Sequence, residues 1–300
     1  MINQDHFYIQ KYARSFYWSG FFLNKKKFNE CSVLYAICRI LDNSVDNKKK
    51  NRKLKFSIFV KNFKKKNISN IFVNKYKSIE NTYIKKKFFF SDLIYGISLD
   101  LKSIRIKNQN ELIVYSYYVG GTVGALMAQV LEIKNKKAIL HAITLGIAMQ
   151  LTNIARDVIE DAKLNRIYLP KTFFKKKISI NNIQRKNMNK NVYEAVKKIL
   201  FISKNYYAAG NGGIKYLNKE YRFAILLASN LYSAIGNKIL KGGEYKYFNQ
   251  RTFLTVPEKL SVTLKTFFEF IMNYLFEDKI NKFQLTKLLN PLKNKIYGRI

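Results

Sequence analysis

The segment AILHAITLGIAMQLTNIARDVIEDAKLNRIYLP, residues 138–170, is apolar over most of its length yet carries acids at Asp157 and Asp161. Placed at about 100° per residue, Gln150, Asn153, Asp157 and Asp161 share one helix face with Glu160 beside it. Leu151, Ile154, Ala155, Val158 and Ile159 fill the rest of the circumference. A helix that is apolar around most of its girth is buried, so the polar stripe is expected to face an internal cavity. Pro170 closes the segment.

A second stripe has the same make-up. In ECSVLYAICRILDNSVDN, residues 30–47, Tyr35, Arg39, Asp42 and Asp46 fall on one helix face. Each helix therefore offers Asp-x-x-x-Asp, with Cβ atoms about 6 Å apart. Like charges at that spacing repel, and burying them unpartnered is costly, which calls for a positive centre between the pairs. Carboxylates without histidine or thiolate make a hard-oxygen site suited to Mg²⁺, an ion that binds substrate phosphates through one or two carboxylates. Arg39 and Arg156 stand beside the acids and can take phosphate oxygens directly. One such motif alone reads as a solvated helix face; the two together predict a diphosphate bridged by metal between two helices.

Composition narrows the alternatives. With 3 prolines and 13 glycines in 300 residues, an all-β fold of many tight turns has too little punctuation, and helices are favoured. The chain is 48% hydrophobic, enough for one enzyme-sized domain over residues 1–300 with its core at about 8–265. Cys31 and Cys38 sit about two turns apart on one helix, too far to bridge, and read as small core residues in a reducing compartment. His6 and His141 are lone imidazoles that furnish neither a metal cluster nor a Ser-His-Asp relay. The amino-terminal MINQDHFYIQKYARSFYW lacks the apolar core of a secretory signal. The apolar stretches near 121–131, 138–151 and 224–235 are too short or too interrupted to span a membrane. A cytoplasmic location is expected.

The formal charge is +36, from 55 Lys plus Arg against 19 Asp plus Glu, mostly as lysine runs such as NKKKNRKLK, KNFKKKN and FFKKKISI. The first reading is a solvated surface enlarged by compositional bias, and the second is attraction to anionic membrane. Nucleic acid comes last, because no arginine-rich stripe, zinc-finger or RNA-binding pattern accompanies the charge. Residues 47–88 read as a helix–loop–helix excursion or an irregular surface segment, and 92–105 and 111–133 as helices. In the latter, Gly120, Gly121 and Gly124 each cost roughly 1 kcal/mol against alanine, marking a helix break or a close approach by something bulky.

On these residues the chain resembles the squalene/phytoene synthase family, the head-to-head prenyl diphosphate synthases, and within it the bacterial phytoene synthases. The resemblance runs from YARSFYWSG (12–20) through LYAICRILDNSVD (34–46), YSYYVGGTVG (115–124) and QLTNIARDVIEDAKLNRIYLP (150–170) to YFNQRTFLTVPEKL (247–260). The lysine-rich parts at 47–90 and 171–200 match only loosely. The resemblance implies an all-α isoprenoid synthase fold (class I terpenoid synthase), a helical bundle around a central tunnel. It implies Asp42, Asp46, Asn153, Asp157 and Asp161 as ligands of Mg²⁺, or of Mn²⁺, and Arg39 and Arg156 as diphosphate-binding residues. Tyr12, Ala13, Arg14 and Ser15 fall on a flap that contacts the substrate head, and Tyr35, Tyr115, Gln150, Tyr232 and Arg251 on further pocket positions. Asn43, Tyr12 and Asn165 depart from the usual second Asp, the His of some relatives and the usual Gly; none removes a metal ligand.

The implied activity is the union of two geranylgeranyl diphosphates to phytoene. MAQ at 127–129 and NQR…T…PEKL at 249–260 look like phytoene synthases, and Gly20 and Ser32 are small residues at expected tunnel positions. No dinucleotide-binding glycine loop follows a predicted strand, in line with a reaction that needs no nicotinamide. The nearest alternative uses farnesyl diphosphate to make squalene, dehydrosqualene or presqualene diphosphate. Another class, a non-enzymatic membrane-associated assembly factor of the same fold, is disfavoured by the presence of all four motif aspartates. Peripheral contact with anionic membrane on its inner face is expected, and oligomeric state is left open.

Overall fold

The computed structural model describes residues 6–46, 51–64, 71–175, 178–183, 185–275 and 282–300. At the amino end α1 (Phe7–Tyr12) and α2 (Arg14–Gly20) meet at Ala13, whose φ of −135° and ψ of 59° break the helix. The long α3 (Lys25–Asp46) follows, and α4 (Arg52–Lys64) and α5 (Ile71–Tyr83) pack back against it. The described parts of the lysine-rich excursion are thus largely helical, and aromatic residues tie them down: Phe63 and Tyr76 stack on Phe90 with ring centroids 4.6 and 4.9 Å away.

Next come α6 (Phe88–Leu99), α7 (Gln109–Ser116) and α8 (Thr122–Val130), the last two joined by one π-helical turn, Tyr117–Gly121. The helix expected over 92–105 ends at Leu99, because the following residues form a strap instead. Ile167 and Lys171 donate backbone N–H bonds to the carbonyls of Ile104 and Ile106, at 3.3 and 3.0 Å. The second acidic segment forms α9 (Lys136–Arg156) and α10 (Val158–Lys163). The chain continues through α11 (Ile180–Ile183), α12 (Asn189–Asn211), α13 (Lys219–Asn249), α14 (Val256–Leu275), α15 (Lys282–Leu288) and α16 (Lys293–Ile296).

Helix α9 is the central strut, packed on α8, α12 and α13. The glycine cluster of the π turn and α8 is explained here: a Cβ at Gly124 would overlap the carbonyl oxygen of Ala142, and one at Gly146 that of Gly120. The bulky neighbour is therefore the backbone of α9 itself, and the π turn supplies the break. Both α9 and α13 are long and apolar enough to cross a membrane, yet 67% and 56% of their apolar windows are buried inside the bundle.

Candidate active site

Phe28, Cys31, Tyr35, Cys38, Arg39 and Asp42 form the stripe of α3 that lines a cavity of about 670 Å³. The facing stripe is Gln150, Asn153, Asp157 and Asp161, with Glu160 beside it, as the helical spacing predicts. The two stripes place acids and arginines at one end of the cavity. The other end is apolar, and Asp42 is about 21 Å from Phe28 along α3 at 1.5 Å per residue.

The second acidic segment bends. Asp157 (φ −107°, ψ 20°) interrupts the helix between α9 and α10, although its N–H still reaches the Asn153 carbonyl at 2.9 Å. The bend lets adjacent residues pair: Arg156 Nε donates to Asp157 Oδ1 at 2.7 Å and Nη2 to Oδ2. Arg251 makes the same fork from the other side, Nε to Oδ1 at 2.9 Å and Nη2 to Oδ2 at 3.1 Å. Burial alone would raise the Asp157 carboxyl, but the two guanidinium groups hold it below the usual carboxylate range. On α3, Arg39 Nη1 donates to Asp42 Oδ2 at 2.6 Å, and its guanidinium lies 4.6 Å from the Tyr12 ring centroid. Tyr12 is 42% exposed and covers this arginine at the mouth.

Beyond the acids, Tyr35 and Tyr232 flank Phe16, at centroid distances of 6.4 and 4.6 Å. Burial pushes the Tyr232 phenol up to about 12 and those of Tyr35 and Tyr115 higher still. Tyr115 donates to both oxygens of the buried Asp100 at 3.1 Å, and Tyr168, stacked on it at 4.7 Å, donates to Asp100 Oδ1 at 3.0 Å. Arg166 joins this group, its Nη1 3.9 Å from Asp100 Oδ2 and its Nη2 donating to the Val45 carbonyl at 3.1 Å. Asp100, Arg166 and Tyr168 line the cavity and were not among the expected residues. The RIYLP run after the acids is the only sequence signal for two of them; Asp100 has none.

Asn165, in place of the usual glycine, has φ 63°. It is the left-handed residue of a Schellman close to α10: Asn165 N–H bonds the Ala162 carbonyl and Arg166 N–H that of Asp161, both at 3.0 Å. Asparagine tolerates that conformation better than most residues, so the substitution keeps the turn that aims Arg166 and Tyr168.

The flap residues divide: Tyr12 lines the cavity and Ala13, Arg14 and Ser15 do not, since the break at Ala13 leaves Arg14 exposed and buries Ala13 with Ile9 and Phe28. Ser32 is buried off the cavity, one step around α3 from Cys31, which does line it; Gly20 lines it as expected. The side chain of Asp46 lies outside the described residues. Cys31 and Cys38 are free and buried.

The donor set fits a hard cation in the company of a phosphate. Among the described residues no three carboxylate, imidazole or thiol groups converge into a ready-made cage. Mg²⁺ takes one or two carboxylates and completes its shell with substrate oxygens and water. Asp42, Asp161 and Asn153 line the acid end of the cavity beside Asp157, whose two oxygens accept from Arg156 and Arg251, and arginines are the natural ligands of a phosphate.

The described residues form a helical bundle whose apolar cavity ends in aspartates and arginines on facing helices. The chain belongs to the squalene/phytoene synthase family, whose model matches residues 9–258. The 15-cis-phytoene synthase of Enterobacter agglomerans is 30% identical over 172 residues, 57% of this chain and 58% of the relative. That of Paracoccus sp. is 34% identical over 156 residues, 52% and 51% of the two chains. The chain spans about half the length of the curated relatives it matches. Among solved structures, a dehydrosqualene synthase superposes with a TM-score of 0.72 at 23% identity, covering 89% of this chain and 95% of that one. Squalene synthase HpnC from Alicyclobacillus acidocaldarius gives 0.69 at 16% identity, covering 80% and 93%. These likenesses show that the chain shares their all-α fold.

Proposed function

We propose that this protein is a Mg²⁺-dependent phytoene synthase, joining two geranylgeranyl diphosphates head to head in the first committed step of carotenoid biosynthesis. The observation that carries the reading is the meeting of Asp42, Asp157 and Asp161 with Arg39, Arg156 and Arg251 at one end of an otherwise apolar cavity. The naming of the curated relatives supports geranylgeranyl over farnesyl diphosphate.

Mg²⁺, when bound, supplies Lewis-acid charge to the leaving diphosphate. The chain's own contribution begins with the arginines, which donate fixed N–H groups to the diphosphate as the allylic C–O bond breaks and charge moves onto oxygen. The double bond of the second substrate attacks the allylic cation, and loss of a proton closes the cyclopropane of prephytoene diphosphate. That intermediate loses its own diphosphate, rearranges and sheds a further proton to give phytoene. No hydride enters, so no nicotinamide is required.

The faces of Phe16, Tyr35 and Tyr232 stabilise the cations by roughly 0.5–2 kcal/mol each, and the apolar walls exclude water that would quench them. The raised phenols of Tyr35, Tyr115 and Tyr232 stay protonated near neutral pH. They act as neutral donors and π faces, and released diphosphate is the base at hand for the final proton. The deciding test is Asp157→Asn in the purified protein: an enzyme loses Mg²⁺-dependent turnover, whereas an assembly factor keeps its function.

A further inference from the structure

Helix α14 is apolar on its exposed side. Its inner face, against α13 and α2, packs Val262 on the core and Phe270 on Phe223 and adds polar contacts: Thr263 accepts from the Trp18 indole at 3.0 Å, Thr266 from Asn230 Nδ2 at 3.1 Å, and buried Lys259 stands 5.6 Å from the Trp18 ring. Its outer face carries Val256, Leu260, Leu264, Phe267, Phe268 and Ile271, all exposed, Leu264 by 62% and Phe268 by 66%. Exposed Phe21 and Phe22 extend this face, since Phe22 meets Phe223 edge-on at 4.9 Å and Phe223 meets Phe267 at 6.3 Å.

Exposed lysines rim the aromatic end. Lys25 and Lys26 follow Phe22, Lys215 and Lys219 precede Phe223, and a 3.3 Å hydrogen bond from Asn24 to Glu220 holds the two segments together. The same end adjoins the cavity: Gly20 and Leu23 flank the Phe21–Phe22 pair, Ala224 and Ile225 follow Phe223, and all four line the cavity away from the acids.

We propose that this face seats the protein on an anionic lipid bilayer, with α14 in the plane of the interface, its outer side chains among the acyl chains and the lysines against lipid phosphates. Apolar side chains on one side of a helix with lysines at the rim are the make-up of interfacial segments. A second copy is the poorer occupant, because pairing two such faces brings like-charged rims together in a chain of net charge +36. Lipid also matches the neighbouring cavity end, giving a hydrocarbon a short path between cavity and acyl phase. Only that last point rests on the proposed reaction; the docking does not.

The test is flotation of the full chain with phosphatidylglycerol–phosphatidylcholine vesicles, comparing the wild type with the Leu264→Glu/Phe268→Glu double variant and a Tyr245→Glu control. Tyr245 is 85% exposed and belongs to α13, beyond its kink at Gly243, and not to α14. The double variant, altered only at exposed positions, should keep the wild-type circular dichroism and turnover of detergent-dispersed substrate. Its vesicle partitioning should fall by about tenfold or more, the loss expected when two large apolar side chains no longer enter the acyl region; the control should float like the wild type. Undiminished flotation of the double variant would overturn the proposal. So would a wild-type dimer that the double variant dissolves while lipid binding is unchanged, since a second copy would then cover the face. A wild type that floats but turns over no prenyl diphosphate would count against the reaction and leave lipid docking standing.

Discussion

Asp157 accepts a fork of hydrogen bonds from each of two arginines, and two consequences follow at this residue. Asp157→Asn leaves both guanidinium groups short of a counter-charge and removes an oxygen donor, so turnover should drop by about 100-fold or more, measured under saturating substrate and Mg²⁺. The folded carboxyl titrates below its unfolded range, so its contribution to stability is present above the ordinary carboxylate range and is lost as pH falls through the depressed folded value. His141 works in a milder window. Its Nδ1–H donates to the Ala209 carbonyl at 2.6 Å, and burial lowers its pKa from the usual 6.5. The unfolded imidazole therefore takes a proton before the folded one does, and stability should decline as pH drops below 6.5. Urea melts between pH 7.5 and 5.5 should show that slope, and His141→Gln should flatten it. With only two histidines in the chain, an NMR titration reads the site directly; titration of His141 at or above 6.5 would refute the assignment.

Helix α9 holds the site because its backbone comes within contact of the π turn and α8. Gly146→Ala places a methyl group against the Gly120 carbonyl, where backbone cannot yield cheaply. The expected loss is about 1–3 kcal/mol of stability, read by urea unfolding, together with reduced turnover as Gln150 and Asn153 shift on the same helix. The faces of α3 and α9 were legible because a period of 3.6 residues lines up Tyr35, Arg39 and Asp42, and Gln150, Asn153 and Asp157, whatever packs on them. The glycine cluster likewise announced a close approach by its cost. Periodicity does not say how helices meet, however, so the bend at Asp157 and the strap over residues 103–107 were invisible. Asp100 was missed for a related reason: its partners Tyr115 and Tyr168 lie on other elements and come together only in the folded bundle. The flap illustrates a third limit, since the dihedral break at Ala13 decides which of its neighbours face inward.

The whole molecule divides its surface chemistry by purpose. Acids and arginines are gathered at one end of a single cavity, apolar walls run to the other end, and an apolar helix face with basic rims lies beside that far end. Much of the lysine excess sits on exposed helical segments, so its contribution to any lipid contact should weaken with added salt, measured as flotation from 0.05 to 0.5 M NaCl, while insertion of the α14 face persists. The central claim is the reaction. It is tested most directly by giving the purified protein geranylgeranyl and farnesyl diphosphate separately, with and without Mg²⁺, and identifying the hydrocarbon by mass and absorption. The account predicts phytoene from the longer substrate only when Mg²⁺ is present; a thirty-carbon product from farnesyl diphosphate alone, or no product from either, would contradict it.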